Sequence, residues 1–228
     1  MSARPTRTRA VVLRRTNYGE ADRILQLITP DGRKSVMARS VRKEKSRLAG
    51  GIELFAISDV VLREGKGELG ILTSARLVYF FRHILEDYDR LQFGYEAIKQ
   101  VSRGSESFDN AEWYNLLAET LAGLDAASIT RELTETWFYL HYAELIGYGL
   151  SLYVDIDGKK LNAESRYLYD DTDKGLRPHA RGEITADHIK LMRLIAAKPL
   201  AILAQIGGVD KIITDCLVVA RRHAALKS

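Results

Sequence analysis

Cysteine occurs once in the 228 residues, at Cys216. A disulfide within the chain is therefore excluded, and so is a cysteine-based zinc site. A single thiol fits a reducing cytosol. No apolar run reaches membrane-spanning length, because charges interrupt every candidate. Val11-Val12-Leu13, behind a basic start, is too short for the apolar core of a secretion signal. The arginines at 4, 7 and 9 run directly into a strand-like pattern, which argues against a transit peptide. Internal repeats and low-complexity segments are absent, as are the phosphate-binding P-loop, the dinucleotide fingerprint and the Gly-x-Ser-x-Gly elbow. Aromatic residues are scarce at the start: Tyr18 and Phe55 are the only two in the first sixty positions.

What is present is a core and a lopsided charge. Hydrophobic residues make up 46% of the chain, enough for one large domain or two small ones and too many for global disorder. The net charge of +4 conceals a division. Residues 1–50 hold 13 Lys/Arg against 4 Asp/Glu, and the remaining 178 residues hold 21 against 26. A module of +9 joined to a remainder of −5 points to a polyanion on one side only; the alternative is a merely solvated basic face.

Residues 8–80 read as β-structure. Two strands, over 8–16 and 21–29, precede a Pro30-Asp31-Gly32 turn, and a returning strand over 33–41 completes a hairpin. A polar loop over 42–47 leads to a long apolar strand, 52–64, that needs a bend or bulge. A turn at Gly65-Lys66-Gly67 and a strand over 68–77 close the set, and five short-linked strands predict a small closed barrel. From residue 83 the period changes to 3.6. A helix over 83–102 places Ile84, Leu85, Tyr88, Leu91, Tyr95 and Ile98 on one face, and 102–110 breaks it. Asp109 is the expected cap of a second helix, Ser128 or Thr130 starts a third that stops at Gly147 and Gly149, and Thr185 and Pro199 open later ones. A last helix runs from about residue 210, and residues 150–182 between these helices read as small hairpins or an irregular loop.

The string Asn17-Tyr18-Gly19-Glu20-Ala21-Asp22-Arg23-Ile24-Leu25, after Val11-Val12-Leu13-Arg14-Arg15, resembles the opening of the RecO family of bacterial recombination mediators. The basic loop from Ser40 to Leu48 and the segment Leu69–Leu77 continue the likeness. The resemblance implies an N-terminal five-stranded OB-fold over 1–80 and an all-α domain over 81–228, with residues 150–182 as a small insertion. It also implies a cytoplasmic, nucleoid-associated protein without catalytic activity that binds single- and double-stranded DNA and anneals complementary strands. The implied partners are RecR and the acidic, phenylalanine-ended tail of the single-strand-binding protein, with a role in recombinase loading. Many members carry four zinc-binding cysteines in the insertion. Here Val154 and Asp157 stand at the first pair and Pro178 and Arg181 at the second, so neither zinc nor any other cofactor is expected. Leu152, Tyr153, Leu161, Tyr167, Leu168 and Leu176 are then the candidates to hold the hairpins by packing.

An OB-fold that holds single strands needs cations along the phosphates and flat rings against the bases. The candidate cations are Arg14, Arg15, Arg23, Arg33, Lys34, Arg39, Arg42, Lys43, Lys45 and Arg47. Tyr18 is the candidate for stacking, and Phe55 reads as core. So few rings favour backbone-led binding without base readout. Of Trp137, Phe138, Tyr139, Tyr142 and Tyr148 most read as core, with one or two left to line a groove for a partner peptide; the implied tail-binding site needs a small apolar pocket beside a cation, for which Arg131 and Arg193 are candidates, and the sequence does not place it. Two other functions compete: an RNA-binding OB-fold protein, and a hydrolase using Glu20 and Asp22 as paired carboxylates. His141 reads as core or interface, His179 and His188 as an unpromising metal pair, Asp155-x-Asp157-Gly158 as a turn, and Cys216 as a buried apolar residue.

Overall fold

The computed structural model describes residues 4–65, 67, 69–108 and 110–225. The chain divides into two compact units, Met1–Asp125 and Ala126–Ser228. Residue 80, where the sequence suggested a domain boundary, is the end of the last barrel strand; the first unit continues through two helices to Asp125.

In the first unit β1 (Thr6–Tyr18), β2 (Asp22–Thr29), β3 (Gly32–Ala38), β4 (Ala56–Arg63) and β5 (Gly70–Phe80) close into a barrel in the order β1-β2-β3-β5-β4. This is the OB-fold arrangement that the sequence suggested. β1 is long enough to serve both sides: Thr6–Val11 pairs with β4 and Val11–Tyr18 with β2, with a bulge between Val12 and Arg14. The β3–β5 seam is parallel and, among the described residues, joins Val36 to Gly70 and Met37 to Ile71. Ala10, Val12, Leu25, Leu27, Val36, Val60, Leu62 and Leu72 fill the interior. The Pro30-Asp31 turn is fastened by Thr29, whose hydroxyl donates to the Gly32 carbonyl at 2.8 Å and accepts from the Asp31 N–H at 3.2 Å.

The fourth strand is shorter than its apolar run. Phe55 has a φ of 55° and leaves the strand direction to bury its ring against Gly94, where a Cβ would lie 2.8 Å from it. The strand therefore begins at Ala56, and two register shifts against β5 supply the expected irregularity. At the β4–β5 turn, Lys66 and Glu68 lie outside the described residues, and Gly67 has a φ of 70°.

The first helix also departs from expectation. A short 3-10 turn covers Arg82–Glu86, and α1 (Tyr88–Ser107) starts only after Asp87, whose side chain accepts from the Arg90 N–H at 3.0 Å. The restart changes the helical phase. Phe93, Gly94, Ala97, Ile98, Val101 and Gly104 are buried, whereas Leu85, Tyr88 and Tyr95 are exposed, Tyr88 by 73%. Nor does the chain break at residue 102. Gly104 lets α1 run on, because the Trp113 ring of α2 (Glu112–Asp125) occupies the place of its missing side chain, 2.4 Å from where a Cβ would stand. Asp109, the expected cap of α2, lies outside the described residues; the Asn110 side chain accepts from the Glu112 N–H at 2.8 Å. At its far end α2 supplies Asp125, a buried carboxylate that accepts from the Tyr79 hydroxyl at 2.8 Å and the His83 N–H at 2.9 Å.

The second unit contains α3 (Arg131–Leu145), β6 (Tyr167–Asp170), β7 (Gly175–Pro178), α4 (Ala186–Ala197), α5 (Leu200–Leu203) and α6 (Ile213–Ala224). Thr130 caps α3, and Gly147, with a φ of 81°, follows its end. The buried Glu135 of α3 accepts from Arg131 on its own helix at 3.0 Å and from Arg221 of α6 at 2.5 Å. Residues 150–182 contain the antiparallel β6–β7 hairpin. Leu152, Tyr167 and Leu176 are buried as expected, but Tyr153 and Leu168 are exposed, and the unanticipated Tyr169 takes their place in the core. Tyr169 places its hydroxyl 3.0 Å from His223 Nδ1, and His223 Nε2 lies 2.6 Å from the Tyr148 carbonyl. The carbonyl can only accept, so His223 donates through Nε2 and accepts from the Tyr169 hydroxyl at Nδ1. No helix among the described residues is long and apolar enough to cross a membrane.

Two stability outcomes follow from this packing. Gly104→Ala gains about 1 kcal/mol of helix propensity but overpacks against Trp113 at about 1–3 kcal/mol. Thermal unfolding should therefore shift downward, where an exposed helical glycine would shift it upward. Burial lowers the pKa of His223 below its ordinary 6.5. The unfolded chain then binds the proton more readily, so the second unit should lose stability as pH falls below 6.5 and down through the folded value. Denaturant titrations over that range should show the loss, and His223→Gln should flatten it.

Candidate nucleic-acid interface

The segment between β3 and β4 is a loop with apolar anchors. Val41 and Ile52 are buried in the barrel core, with Leu48 and Leu54 packed against it. Gly51 sits so close to β5 that a Cβ there would fall 2.5 Å from the Ala75 backbone. Burial of Val41 and Ile52 contributes about 1.5–3 kcal/mol each. With the apolar residues turned inward, Arg39, Arg42, Lys43, Lys45 and Arg47 are all exposed.

The loop is also fastened to the β1–β2 turn. Asp22 accepts the Ser40 N–H at 2.6 Å, with Ser40 held at a φ of 53°. The Arg42 N–H donates to the Ala21 carbonyl at 2.9 Å, and the Arg42 guanidinium to the Gly19 carbonyl at 3.3 Å. Arg23 donates to the Asn17 side chain at 3.1 Å, and Arg15 pairs with Glu53 at 2.9 Å. Two basic segments about twenty residues apart in the chain thus meet at one end of the barrel. Tyr18, 55% exposed, stands opposite Asp22 at the end of the β1–β2 ladder.

The ten candidate cations do not share one environment. Arg14, Lys34, Arg39, Lys43, Lys45 and Arg47 are exposed and have no carboxylate partner among the described residues. Arg33 is drawn inward: it donates to Gln26 and to the Ser102 carbonyl and pairs with Glu106 at 2.5 Å, joining β3 to α1. Burial lowers its pKa, and its guanidinium holds protein groups. Lys34 stands apart from the loop, in a cleft of about 630 Å³ that Arg4, Ser35 and Arg63 also line. Phe55 is core.

The remaining sequence candidates have structural occupations. Asp22 is committed to the Ser40 backbone, which leaves the Glu20–Asp22 pair without a free carboxylate couple. Asp155 accepts from the N–H groups of Asp157 and Lys159, both at 2.9 Å, and Gly158 has a φ of 78°: this is a turn. His188 is 3.2 Å from Asp215 and 2.8 Å from the Thr185 hydroxyl. His179 accepts from the Arg181 N–H, and His141 stacks on Trp137. Among the described residues no group of three His, Cys, Asp or Glu is placed to hold a metal ion. Cys216 is fully buried, which pushes its thiol up to about 12 and keeps it un-ionised. Trp137, Phe138, Tyr139 and Tyr142 are core and Tyr148 is exposed. Arg131 is paired with Glu132 and Glu135, and Arg193 donates twice to the Leu152 carbonyl.

Arg7, Arg9 and Arg76 escaped the reading of the sequence as site residues, though all three stand on an open face of the barrel. The spacing Arg7-x-Arg9 within a strand was a usable signal, since alternate residues share a face. Arg76 lies two strands away and had none.

The Asp22 contact needs only an acceptor oxygen. Asp22→Asn should therefore leave nucleic-acid affinity close to wild type, whereas Asp22→Ala should release the loop and weaken binding. Equal loss in both variants, measured by fluorescence anisotropy, would mean that the negative charge and not the Ser40 bond matters.

Residues 1–81 match the family model described as "Recombination protein O N terminal". The chain is 32% identical over 214 residues to a DNA repair protein RecO from Roseiflexus sp. strain RS-1, an alignment covering 90% of this chain and 75% of the relative. It is 30% identical over 225 residues to a DNA repair protein RecO from Dehalococcoides mccartyi strain CBDB1, covering 95% and 88%. With the barrel, the helices and the matched length in agreement, the chain belongs to the DNA repair protein RecO family.

Proposed function

We propose that this protein is a mediator of DNA repair and homologous recombination that acts by binding, without catalytic activity. It holds single- and double-stranded DNA through Arg14, Arg15, Arg23, Lys34, Arg39, Arg42, Lys43, Lys45 and Arg47, with Tyr18 stacking on a base. Arg33 acts indirectly by fixing β3 to α1. The observation that carries this reading is the anchored basic loop: Val41 and Ile52 hold it in the barrel core while its five cations face solvent. Such a loop tracks phosphates and reads no sequence. Annealing fits the same chemistry, because cations that neutralise phosphate repulsion let complementary strands meet.

RecR, the single-strand-binding protein and cytoplasmic work at the nucleoid complete the proposal. The second unit has a cleft of about 580 Å³ lined by Ile146, Tyr148, Thr172, Lys174 and His223. Lys174 donates to the carbonyls of Arg222 and Ala225, which leaves its third ammonium hydrogen for an acidic tail. The apolar lining suits a terminal phenylalanine.

The test is a salt titration of binding to oligothymidylate. Replacing Arg42, Lys43 and Arg47 together with alanine should weaken binding and lower the slope of log K against log salt by about 2, at roughly 0.7 per lost contact with a single strand. An unchanged slope would remove the loop from the interface. Competition with RNA of equal length should leave DNA bound; a strong RNA preference would favour a ribonucleoprotein role instead. Failure to anneal strands coated with single-strand-binding protein, at every salt concentration, would overturn the mediator reading.

A further inference from the structure

The barrel has two outer sheet faces, and they differ. On the β1–β2–β3 side Leu13 and Ile28 are buried outside the barrel core, and Arg33 is bonded to α1. α1 and α2 both touch these strands, so helices cover that face. On the β1–β4–β5 side the strand registers place Arg9, Asp59 and Arg76 directly opposite one another in one row. The next row is Arg7, Val61 and Ser74, and Arg63 follows two residues further along β4. In antiparallel pairs, directly opposed residues share a face. Four arginines and one aspartate therefore stand on one side of three strands.

This array is open. Side-chain exposure is 80% for Arg76 and 62% for Arg9, and Arg7 and Arg63 are exposed without carboxylate partners among the described residues. Arg7, Asp59, Val61, Ser74 and Arg76 line a shallow hollow of about 290 Å³. Asp59 lies 3.1 Å from Arg76 and 3.9 Å from Arg9. Such an exposed triad adds little stability. Its effect is to steady two guanidinium groups on either side of the hollow. Strands about 4.8 Å apart put the two arginine backbones roughly 10 Å apart. Among the described residues no ring lines the hollow to stack on a base, and arginines flank it, so a sugar–phosphate backbone is the polyanion it suits.

We infer that the β1–β4–β5 face is a second phosphate-backbone site for nucleic acid, with Arg7, Arg9 and Arg76 contacting phosphates and Asp59 positioning the last two. This rests on the nucleic-acid-binding reading above and adds a surface separate from the loop. A barrel with cations on a closing loop and on an outer sheet face can hold a longer stretch of strand, or two segments, at once.

The experiment uses the full chain and a long oligothymidylate, with anisotropy recorded over a range of salt. Arg7→Gln, Arg9→Gln and Arg76→Gln combined should lower the slope of log K against log salt by about 2. The combination with the loop substitutions should lower it by about 4. Ser74→Asp places a carboxylate in the hollow at an exposed site and should also weaken binding, which covers the case of a triple variant that does not fold. Circular dichroism should be unchanged in the Ser74→Asp variant. If wild-type protein binds no nucleic acid, both the general reading and this one fall. If the loop substitutions lower the slope while the face substitutions and Ser74→Asp leave affinity and slope untouched, only the second site is overturned.

Discussion

The insertion of Val41 and Ile52 into the barrel core is the contact on which the candidate interface depends. The residues between them carry the densest basic charge of the chain, and a segment of that composition has no tendency to order itself. Two apolar side chains, Leu48 and Leu54 beside them, and the approach of Gly51 to Ala75 turn it into a surface of defined position. Ordering beforehand lowers the entropic penalty of binding, so the loop presents its cations at little further cost.

The same economy appears in the carboxylates of the barrel. Asp22 accepts a backbone N–H, Glu53 pairs with Arg15, and Asp59 lies between two arginines. Each holds a group in place, and the cations left over face water. The helices behave differently. α1 and α2 bring Glu106 to Arg33 and bury Asp125 against Tyr79 and His83, so their acids brace the first unit.

Buried side chains and hydrogen bonds hold the hairpin of the second unit's insertion. Tyr169, His223 and the Tyr148 carbonyl form a buried hydrogen-bond chain, and Leu152, Tyr167 and Leu176 supply apolar area. Asp170 and Asp173 both pair with Arg177, which clamps the hairpin turn. A hairpin of two four-residue strands is marginal alone, and packing of Tyr169 onto α6 through His223 gives it the needed support.

Local pattern was enough for the barrel strands, the Pro30 turn and the basic loop, and narrowed the start of α3 to Ser128 or Thr130, because period-two alternation, turn residues and charge runs are properties of neighbours in the chain. The family motif around Tyr18–Ile24 was legible for the same reason. Two features depended on partners outside the local pattern and were not. Phe55 abandons its strand because Gly94 offers a place for its ring, and α1 passes through Gly104 because Trp113 fills the gap. The phase of α1 was missed for a local reason, the restart at the Asp87 cap. Arg33 and Arg76 show the same limit for function. Alike in sequence as strand arginines, one is drawn inward by Gln26, Ser102 and Glu106, and the other is left on an open face beside Asp59. Sequence determined which residues carry positive charge and which strands bear them. Tertiary structure decided which of those charges are free, since that depends on what packs across from each side chain.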